Sequence, residues 1–224
     1  KTKNIRVINA VEGAMNAVAE LVLGLMLTLA RQTARGDRAI RNGQWLKKEL
    51  KGTELRGKYL GIIGLGNIGK RLGRLAHSLN MNIIGYDVVP IDEEFAKEVG
   101  LMKADLNTLL QSSDYISIHV PLLDSTYHLL DAQKMSTMKK TAKIINTSRG
   151  GVVDEDALYE ALKNGTLGGA ALDVFEKEPA IGTKLAELDN VILTPHIGAQ
   201  TKEAQSLAAN VIAEKIVQIL RGVI

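Results

Sequence analysis

The chain has 224 residues, 46% apolar and 24% charged, which bounds it to one large globular domain or one domain and part of another and excludes disorder and collagen-like repeats. Its net charge of +3 is small and spread along the chain, so nothing in it selects nucleic acid as a partner. With no cysteine, disulfides, thiolate metal sites and a cysteine nucleophile are excluded.

Residues 5–9 (IRVIN) alternate as a short strand. Residues 13–31 read as a helix whose apolar side chains, among them Val18, Leu21, Leu25, Met26, Leu27 and Leu29, go nearly all round. A helix of that kind must be covered on several sides, by a second domain or a second copy of the chain. The longest apolar run, residues 21–30, is shorter than the ~20 residues needed to cross a bilayer. A soluble, cytoplasmic protein without a membrane partner is expected. Residues 32–50 are basic and amphipathic, with Gly43 as a stop.

From residue 59 the pattern changes. Apolar runs of strand length recur at 59–63, 82–86, 115–119, 143–147, 168–174 and 191–194. Helical stretches alternate with them at 68–79, 93–99 with 106–110, 132–138 and 155–164, the last with Asp154 as its N-cap. Residues 202–220 form a closing helix. Continuous apolar strands alternating with helices predict an α/β fold, a doubly wound parallel sheet covered on both faces.

Glycine, at 21 residues, exceeds its usual share, and the excess clusters: Gly61, Gly64, Gly66 and Gly69 fall in one stretch. Gly64, Gly66 and Gly69 form a G-x-G-x-x-G pattern between a strand and a helix, the context in which it cradles a pyrophosphate. Gly64 permits the tight turn, Gly66 leaves room for the phosphates, and Gly69 permits close helix packing. The helix that starts at Asn67 and Ile68 offers free N–H groups to the anion. Asp87, 18 residues beyond Gly69, ends the next strand, where a carboxylate accepts from ribose hydroxyls and repels the extra phosphate of NADP. NAD is the expected cofactor, and no metal is.

Polar residues also gather at other strand ends. His119 precedes Val120 and Pro121; Thr147, Ser148 and Arg149 follow the strand at 143–147; Asp173, Glu176 and Glu178 follow that at 168–174. His196 follows the last strand and precedes Gly198. Carboxyl ends of parallel strands line the ligand crevice of such sheets. An Arg there can fork onto a carboxylate, and an imidazole oriented by a carboxylate can pass a proton to or from a carbonyl oxygen. His77 reads as a structural or exposed helix residue, and His128 has no obvious partner. The basic run with Arg41, Lys47 and Lys48 is a candidate for attracting an acidic or phosphorylated substrate.

These motifs, NAVAELVLGLMLTLAR at 16–31, LGIIGLGNIG at 60–69, HVPL at 119–122, IINTSRGGVVD at 144–154, AALDVFEKEP at 170–179 and TPHIGAQT at 194–201, make the chain resemble the D-isomer-specific 2-hydroxyacid dehydrogenases. The resemblance implies Arg149, Glu178 and His196 as the catalytic residues. It implies a cofactor site of Gly64, Gly66, Asn67, Ile68, Gly69, Asp87, His119, Val120, Pro121, Thr147, Ser148, Asp173 and Gly198. Glu178 rather than Glu176 is selected because it precedes Pro179.

Within the family, GAQTKEAQ at 198–205 is most similar to the 3-phosphoglycerate dehydrogenases, with Gln200 in place of their common Ser. The implied activity is NAD-dependent oxidation of D-2-hydroxy acids, D-3-phosphoglycerate first, as in serine biosynthesis. The implied partners are a 2-hydroxy or 2-oxo acid and a second copy of the chain, with the homodimer formed through the cofactor domain. A glyoxylate/hydroxypyruvate or D-lactate type reductase is the alternative, and a non-catalytic NAD-sensing corepressor-like protein another. The family's flavodoxin-like substrate domain is built mainly from chain preceding such a segment. Residues 1–13 are therefore expected to end that domain, 14–198 to form the NAD-binding domain, and 199–224 to return toward the substrate domain. On this reading a fragment that binds NAD without turnover is a further possibility.

Overall fold

The computed structural model describes residues 7–221. Seven parallel strands form one sheet: β1 (Tyr59–Ile63), β2 (Asn82–Tyr86), β3 (Met102–Lys103), β4 (Tyr115–Ile118), β5 (Lys143–Asn146), β6 (Gly169–Leu172) and β7 (Val191–Leu193). Their order is β3-β2-β1-β4-β5-β6-β7. The chain therefore runs outward from β1 in one direction, returns, and runs outward in the other. This creates a switch point between β1 and β4, where the connections leave on opposite sides and a crevice opens at the carboxyl ends.

The helices are α1 (Met15–Arg31), α2 (Thr33–Arg41), α3 (Asn67–Ser78), α4 (Glu93–Val99), α5 (Leu106–Ser112), α6 (Ala132–Ser136), α7 (Glu155–Lys163) and α8 (Lys202–Leu220). Alternate strand residues point to opposite faces, and the core splits accordingly. Leu60 and Ile62 of β1 pack in one layer with Val22, Met26 and Leu72 of α1 and α3. Ile63 lies in the other, with Leu109 of α5 and Leu158 of α7. Between them Gly61 faces α5, where a Cβ would overlap Ser113 Oγ.

Side chains set the helix starts. Asp92 accepts from the Glu94 and Phe95 N–H groups, and Asp105, Asp131, Asp154 and Thr201 each accept one first-turn N–H of α5, α6, α7 and α8. Each such cap satisfies a donor that the helix itself cannot.

The expected strands and helices are present, most of them a residue or two shorter at their ends. β3 was missed because two residues carry no periodicity. Of the strand expected at 5–9, residues 5 and 6 lie outside the described residues, and residues 7–9 are irregular. No described strand pairs with them, so the alternation of IRVIN has no ladder to join.

The helix at 15–31 is also covered differently from expectation. The monomer itself buries Val22, Leu25, Met26 and Leu29. Exposure is confined to a stripe with Glu20, Gly24, Leu27 and Arg31. Among the described residues no single helix is long and apolar enough to cross a membrane; α1 and α2 reach that length only together, across a 66° bend. The last helix, α8, leaves the sheet. Of its residues only Ala204 is buried, and Leu207, Ile216, Val217 and Leu220 are exposed. It leans on the turn before α1, where a Cβ on Gly13 would come within 3.0 Å of the Ala208 nitrogen.

Candidate active site

The loop after β1 is shaped by missing side chains. Gly64 sits at φ +92°, a left-handed conformation, and a Cβ there would lie 2.6 Å from the His119 carbonyl oxygen. Its N–H donates to the Tyr86 carbonyl at 2.9 Å, which joins the loop to β2. A Cβ on Gly69 would overlap the Gly64 carbonyl oxygen, so α3 can approach the loop only with glycine at that position. Gly66 caps α3 without any side-chain hydrogen bond, and a Cβ there would meet no protein atom within 4 Å. The first-turn N–H groups of Asn67 and Ile68 thus open onto free space at a positive helix end.

Asp87, at the carboxyl end of β2, is tied to this loop. Its Oδ2 accepts from Leu65 N at 2.6 Å and its Oδ1 from Val89 N at 3.1 Å. The sequence suggested only a ribose acceptor, but half of this carboxylate positions the phosphate loop.

A cleft of about 460 Å3 continues from Ile68 across the switch point. It is lined by His119, Val120 and Pro121 after β4, Thr147, Ser148 and Arg149 after β5, Asp173 after β6, and His196 and Gly198 after β7. The fold therefore brings together at one edge residues up to 186 positions apart in sequence, from Ala14 to Gln200.

The turn after β5 is organised by Asn146. Its Oδ1 accepts from Ser148 N at 3.0 Å and from Ser148 Oγ at 2.8 Å, and its Nδ2 donates to the Arg149 carbonyl at 2.9 Å. Arg149 stands exposed at the cleft. The adjacent Gly150 is pressed against the next loop, where a Cβ would overlap the Phe175 carbonyl.

That loop carries Glu178. Its Oε1 accepts from Phe175 N at 3.1 Å, and its Oε2 faces His196 Nδ1 at 2.9 Å. The hydrogen bond from His196 holds the Glu178 carboxyl below its usual range, against partial desolvation, with help from the Phe175 N–H and the nearby Arg149 charge. With Nδ1 directed at the carboxylate, Nε2 is the ring nitrogen left for the cleft. His196 itself sits at φ +53°, uncommon for a non-glycine residue.

Asp173 holds His196 there. It is 1% exposed, and its carboxylate accepts from Thr194 Oγ1 at 2.6 Å, Ile197 N at 2.8 Å and Gly198 N at 2.8 Å. A Cβ on Gly198 would come within 3.1 Å of Asp173 Oδ2. Asp173 was expected to line the cofactor pocket. It lines the cleft, and all its described side-chain bonds run to the His196 loop. Asn146 and Asp173 are thus supports whose roles the sequence reading did not identify. Their signal is a polar side chain inside a run that otherwise reads as fully apolar strand.

The residues present fit NAD. The open space at Gly66, the uncapped start of α3 and the buried Thr147 Oγ1, which has no hydrogen-bond partner, all lie on this edge of the sheet. His119 is half-buried, with Nε2 2.9 Å from Ser117 Oγ, and burial pushes its imidazole down to about 4, which keeps the ring neutral near neutral pH.

Other candidates lie elsewhere. His77 is exposed on α3. His128 does have partners, contrary to the sequence reading: Nε2 lies 2.9 Å from Glu176 Oε1 and Nδ1 3.5 Å from Asp154 Oδ2. Glu176 thereby pins its loop to the start of α7 and leaves Glu178 free for His196. Arg41 is paired with Asp37 at 2.8 Å, and neither it nor Lys47 and Lys48 lines the cleft.

The family model described as "D-isomer specific 2-hydroxyacid dehydrogenase, NAD binding domain" matches residues 23–198. The D-3-phosphoglycerate dehydrogenase of Methanocaldococcus jannaschii is 48% identical over 221 residues, 98% of this chain and 42% of that protein. The hydroxypyruvate reductase of Thermotoga maritima is 46% identical over 219 residues, 96% of this chain and 70% of that protein. Among solved structures, D-lactate dehydrogenase from Aquifex aeolicus, complexed with NAD and lactic acid, superposes with a TM-score of 0.90 at 33% identity, over 99% of this chain and 71% of that one. The chain thus spans about two fifths of the archaeal dehydrogenase it matches.

Proposed function

The chain belongs to the D-isomer-specific 2-hydroxyacid dehydrogenase family, and on that premise we propose that it carries the NAD-binding and proton-transfer half of an enzyme that interconverts D-2-hydroxy acids and 2-oxo acids. The observation that carries this reading is the Glu178–His196 pair at 2.9 Å, with His196 and Arg149 lining one cleft that reaches Ile68 at the start of α3. NAD, when bound, would accept the hydride in the oxidation, and NADH would supply it in the reverse direction.

This chain's residues do the rest. Arg149 binds the substrate carboxylate through its planar fork and holds the reacting carbon over the cleft. His196 Nε2 takes the hydroxyl proton during oxidation and returns it to the carbonyl oxygen during reduction. Glu178 fixes the tautomer by accepting from Nδ1, and gives the protonated ring a counter-charge. Asp173 positions the His196 loop. Gly64, Gly66 and Gly69, with the N–H groups of Asn67 and Ile68, hold the pyrophosphate, and Asp87 selects NAD over NADP. His119, Val120, Pro121, Thr147, Ser148 and Gly198 wall the cleft.

The preferred substrate pair is D-3-phosphoglycerate and 3-phosphohydroxypyruvate, on the GAQTKEAQ run at 198–205 and the dehydrogenases of that name among the relatives. Hydroxypyruvate is the second reading, favoured by the similarity to the Thermotoga enzyme. The reading includes a cytoplasmic setting and no nucleic-acid or membrane partner. It also assigns residues 14–198 to the cofactor domain and residues 1–13 and 199–224 to the junction with a substrate domain, in keeping with the exposed apolar face of α8.

A second copy of the chain is proposed to cover Leu27 of α1 together with Ile40 and Trp45, which is 77% exposed. Leu25 is not part of that surface, because it is buried inside the monomer. A Leu27→Asp, Trp45→Ser double variant is expected to sediment as a monomer, and an unchanged dimer would count against this surface.

The reaction is tested by assaying the protein with NAD against D-3-phosphoglycerate, D-glycerate and D-lactate, beside His196→Ala. Loss of 10²–10⁴-fold in turnover with NADH affinity kept is expected for a proton-transfer residue. Unchanged turnover in the variant would remove His196 from the mechanism.

A further inference from the structure

A second polar cavity lies at the other end of the sheet. It has a volume of about 290 Å3, near the lower end of the range for small-ligand pockets. Its walls come from the end of α1, the start of α2, the segment around Lys51 and the amino ends of β5 and β7. The cofactor cleft opens at the carboxyl ends. Helix α1 touches both, with Val18 at the cleft and Thr28 here, ten residues or about 15 Å apart along its axis.

Four cations converge on this cavity from separate elements: Arg35 and Arg38 of α2, Lys51, and Lys143 at the start of β5. The only carboxylate in its wall is Asp189, 77% exposed and 3.8 Å from Arg35 Nε. Arg38 and Lys51 make no ion pair or side-chain hydrogen bond among the described residues. Lys143 is half-buried, its ammonium 5.2 Å from the centre of the Tyr115 ring, and burial pulls its pKa below the usual lysine range. The nearby Asp114 carboxylate offsets only part of that burial, and the ammonium's one hydrogen bond is a long one, 3.5 Å to the Thr141 carbonyl.

Two further features favour an anion. The start of α2 lines the cavity and has no side-chain cap, so a positive helix end there lacks a side-chain acceptor. Two of the carbonyls that end α1 at the same place are already engaged, Thr28 O by Gln32 N and Ala30 O by Thr53 N. The Thr53 bond, and Gly52, whose Cβ would lie 2.6 Å from the Ala30 carbonyl oxygen, also fix the segment that carries Lys51. The backbone that carries Lys51 is therefore held in place at the cavity wall.

From this arrangement we propose that the cavity walled by Arg35, Arg38, Lys51 and Lys143 binds a small polyanion of the phosphate or pyrophosphate class, at a site separate from the cofactor cleft. Arg35 and Arg38 belong to the basic segment at 32–50, but Arg41, Lys47 and Lys48, the residues expected to attract an acidic or phosphorylated substrate, do not line this cavity. Several cations around one small volume raise the local concentration of a multivalent anion, and added salt screens the effect.

The phosphate loop also binds phosphates, so the test holds that loop occupied. Inorganic pyrophosphate is titrated calorimetrically into the protein saturated with NADH, for the wild type, Arg38→Glu and Lys51→Glu. Both positions are exposed, and circular dichroism melts check that each variant folds. One equivalent of pyrophosphate is expected to bind the NADH-saturated wild type, at least tenfold more weakly in either variant, with NADH affinity within twofold throughout. Absence of binding once NADH is saturating, or equal binding by wild type and both variants, would overturn the proposal. Neither readout depends on turnover, so the result is independent of the reaction proposed above.

Discussion

The phosphate loop and the His196 loop lie on one edge of one sheet, yet they are built in opposite ways. The first is defined by atoms that are missing. Gly64 and Gly69 let a turn, a strand end and a helix approach within distances that any side chain would block, and Gly66 leaves the helix start bare. The second is defined by acceptors that are present. Asp173 gathers three donors from residues 194–198, and Glu178 orients the ring. One region should therefore fail when atoms are added, the other when a carboxylate is removed.

The largest effect is expected from adding atoms. Gly69→Val would push α3 off the Gly64 carbonyl, and overpacking of this kind costs about 1–3 kcal/mol or more. NADH affinity, followed by fluorescence titration, should fall by more than a hundredfold or the protein should become insoluble. Near-wild-type binding would show that the loop has room the glycines do not require.

Removing the acceptor comes next. Asp173→Ala leaves the Ile197 and Gly198 N–H groups and the Thr194 hydroxyl without their partner, and is expected to cost about 2–3 kcal/mol in chemical denaturation. Turnover should drop at least tenfold while NADH binding changes little. A variant that loses NADH binding but keeps turnover per bound NADH would invert the comparison.

His119 connects the two regions, since its carbonyl packs on Gly64 and the residue lines the cleft. Its folded pKa, about 4, lies below the ordinary 6.5, so between those values the unfolded chain binds the extra proton. Its contribution is complete above pH 6.5 and is lost as pH falls toward 4. Melting temperature should therefore rise with pH across that window in wild type and less steeply in His119→Asn. Glu178 acts in the same sense further into acid, because a carboxyl held below 4.5 gives up the His196 pairing as pH falls through its folded value.

The smallest effect is expected where the two designs mix. Asp87 is a carboxylate serving the glycine loop, through Leu65 N at 2.6 Å. Asp87→Ala should shift the ratio of NADP to NAD dissociation constants by about tenfold, about 1.4 kcal/mol, with modest weakening of both. A wild type that already prefers NADP would remove Asp87 as the selector.

The sequence by itself determined the sheet and its ligand edge. Strand-length apolar runs alternating with helical ones leave little choice but a parallel sheet with both faces covered, and such sheets bind at their carboxyl ends. The glycine loop was legible because its function is to lack side chains, which a sequence displays directly. Tertiary structure alone decided which acceptors serve which donors. Asp173 reaches over the next strand to residues 194–198, and His128 meets Glu176 across 48 positions, pairings that no spacing encodes. The same holds for coverage. The apolar surface of the helix at 15–31 is visible in sequence, but only the packed layers show that Leu25 belongs to the monomer core and Leu27 to the surface. Local periodicity reports which residues avoid water; long-range packing decides what they meet instead.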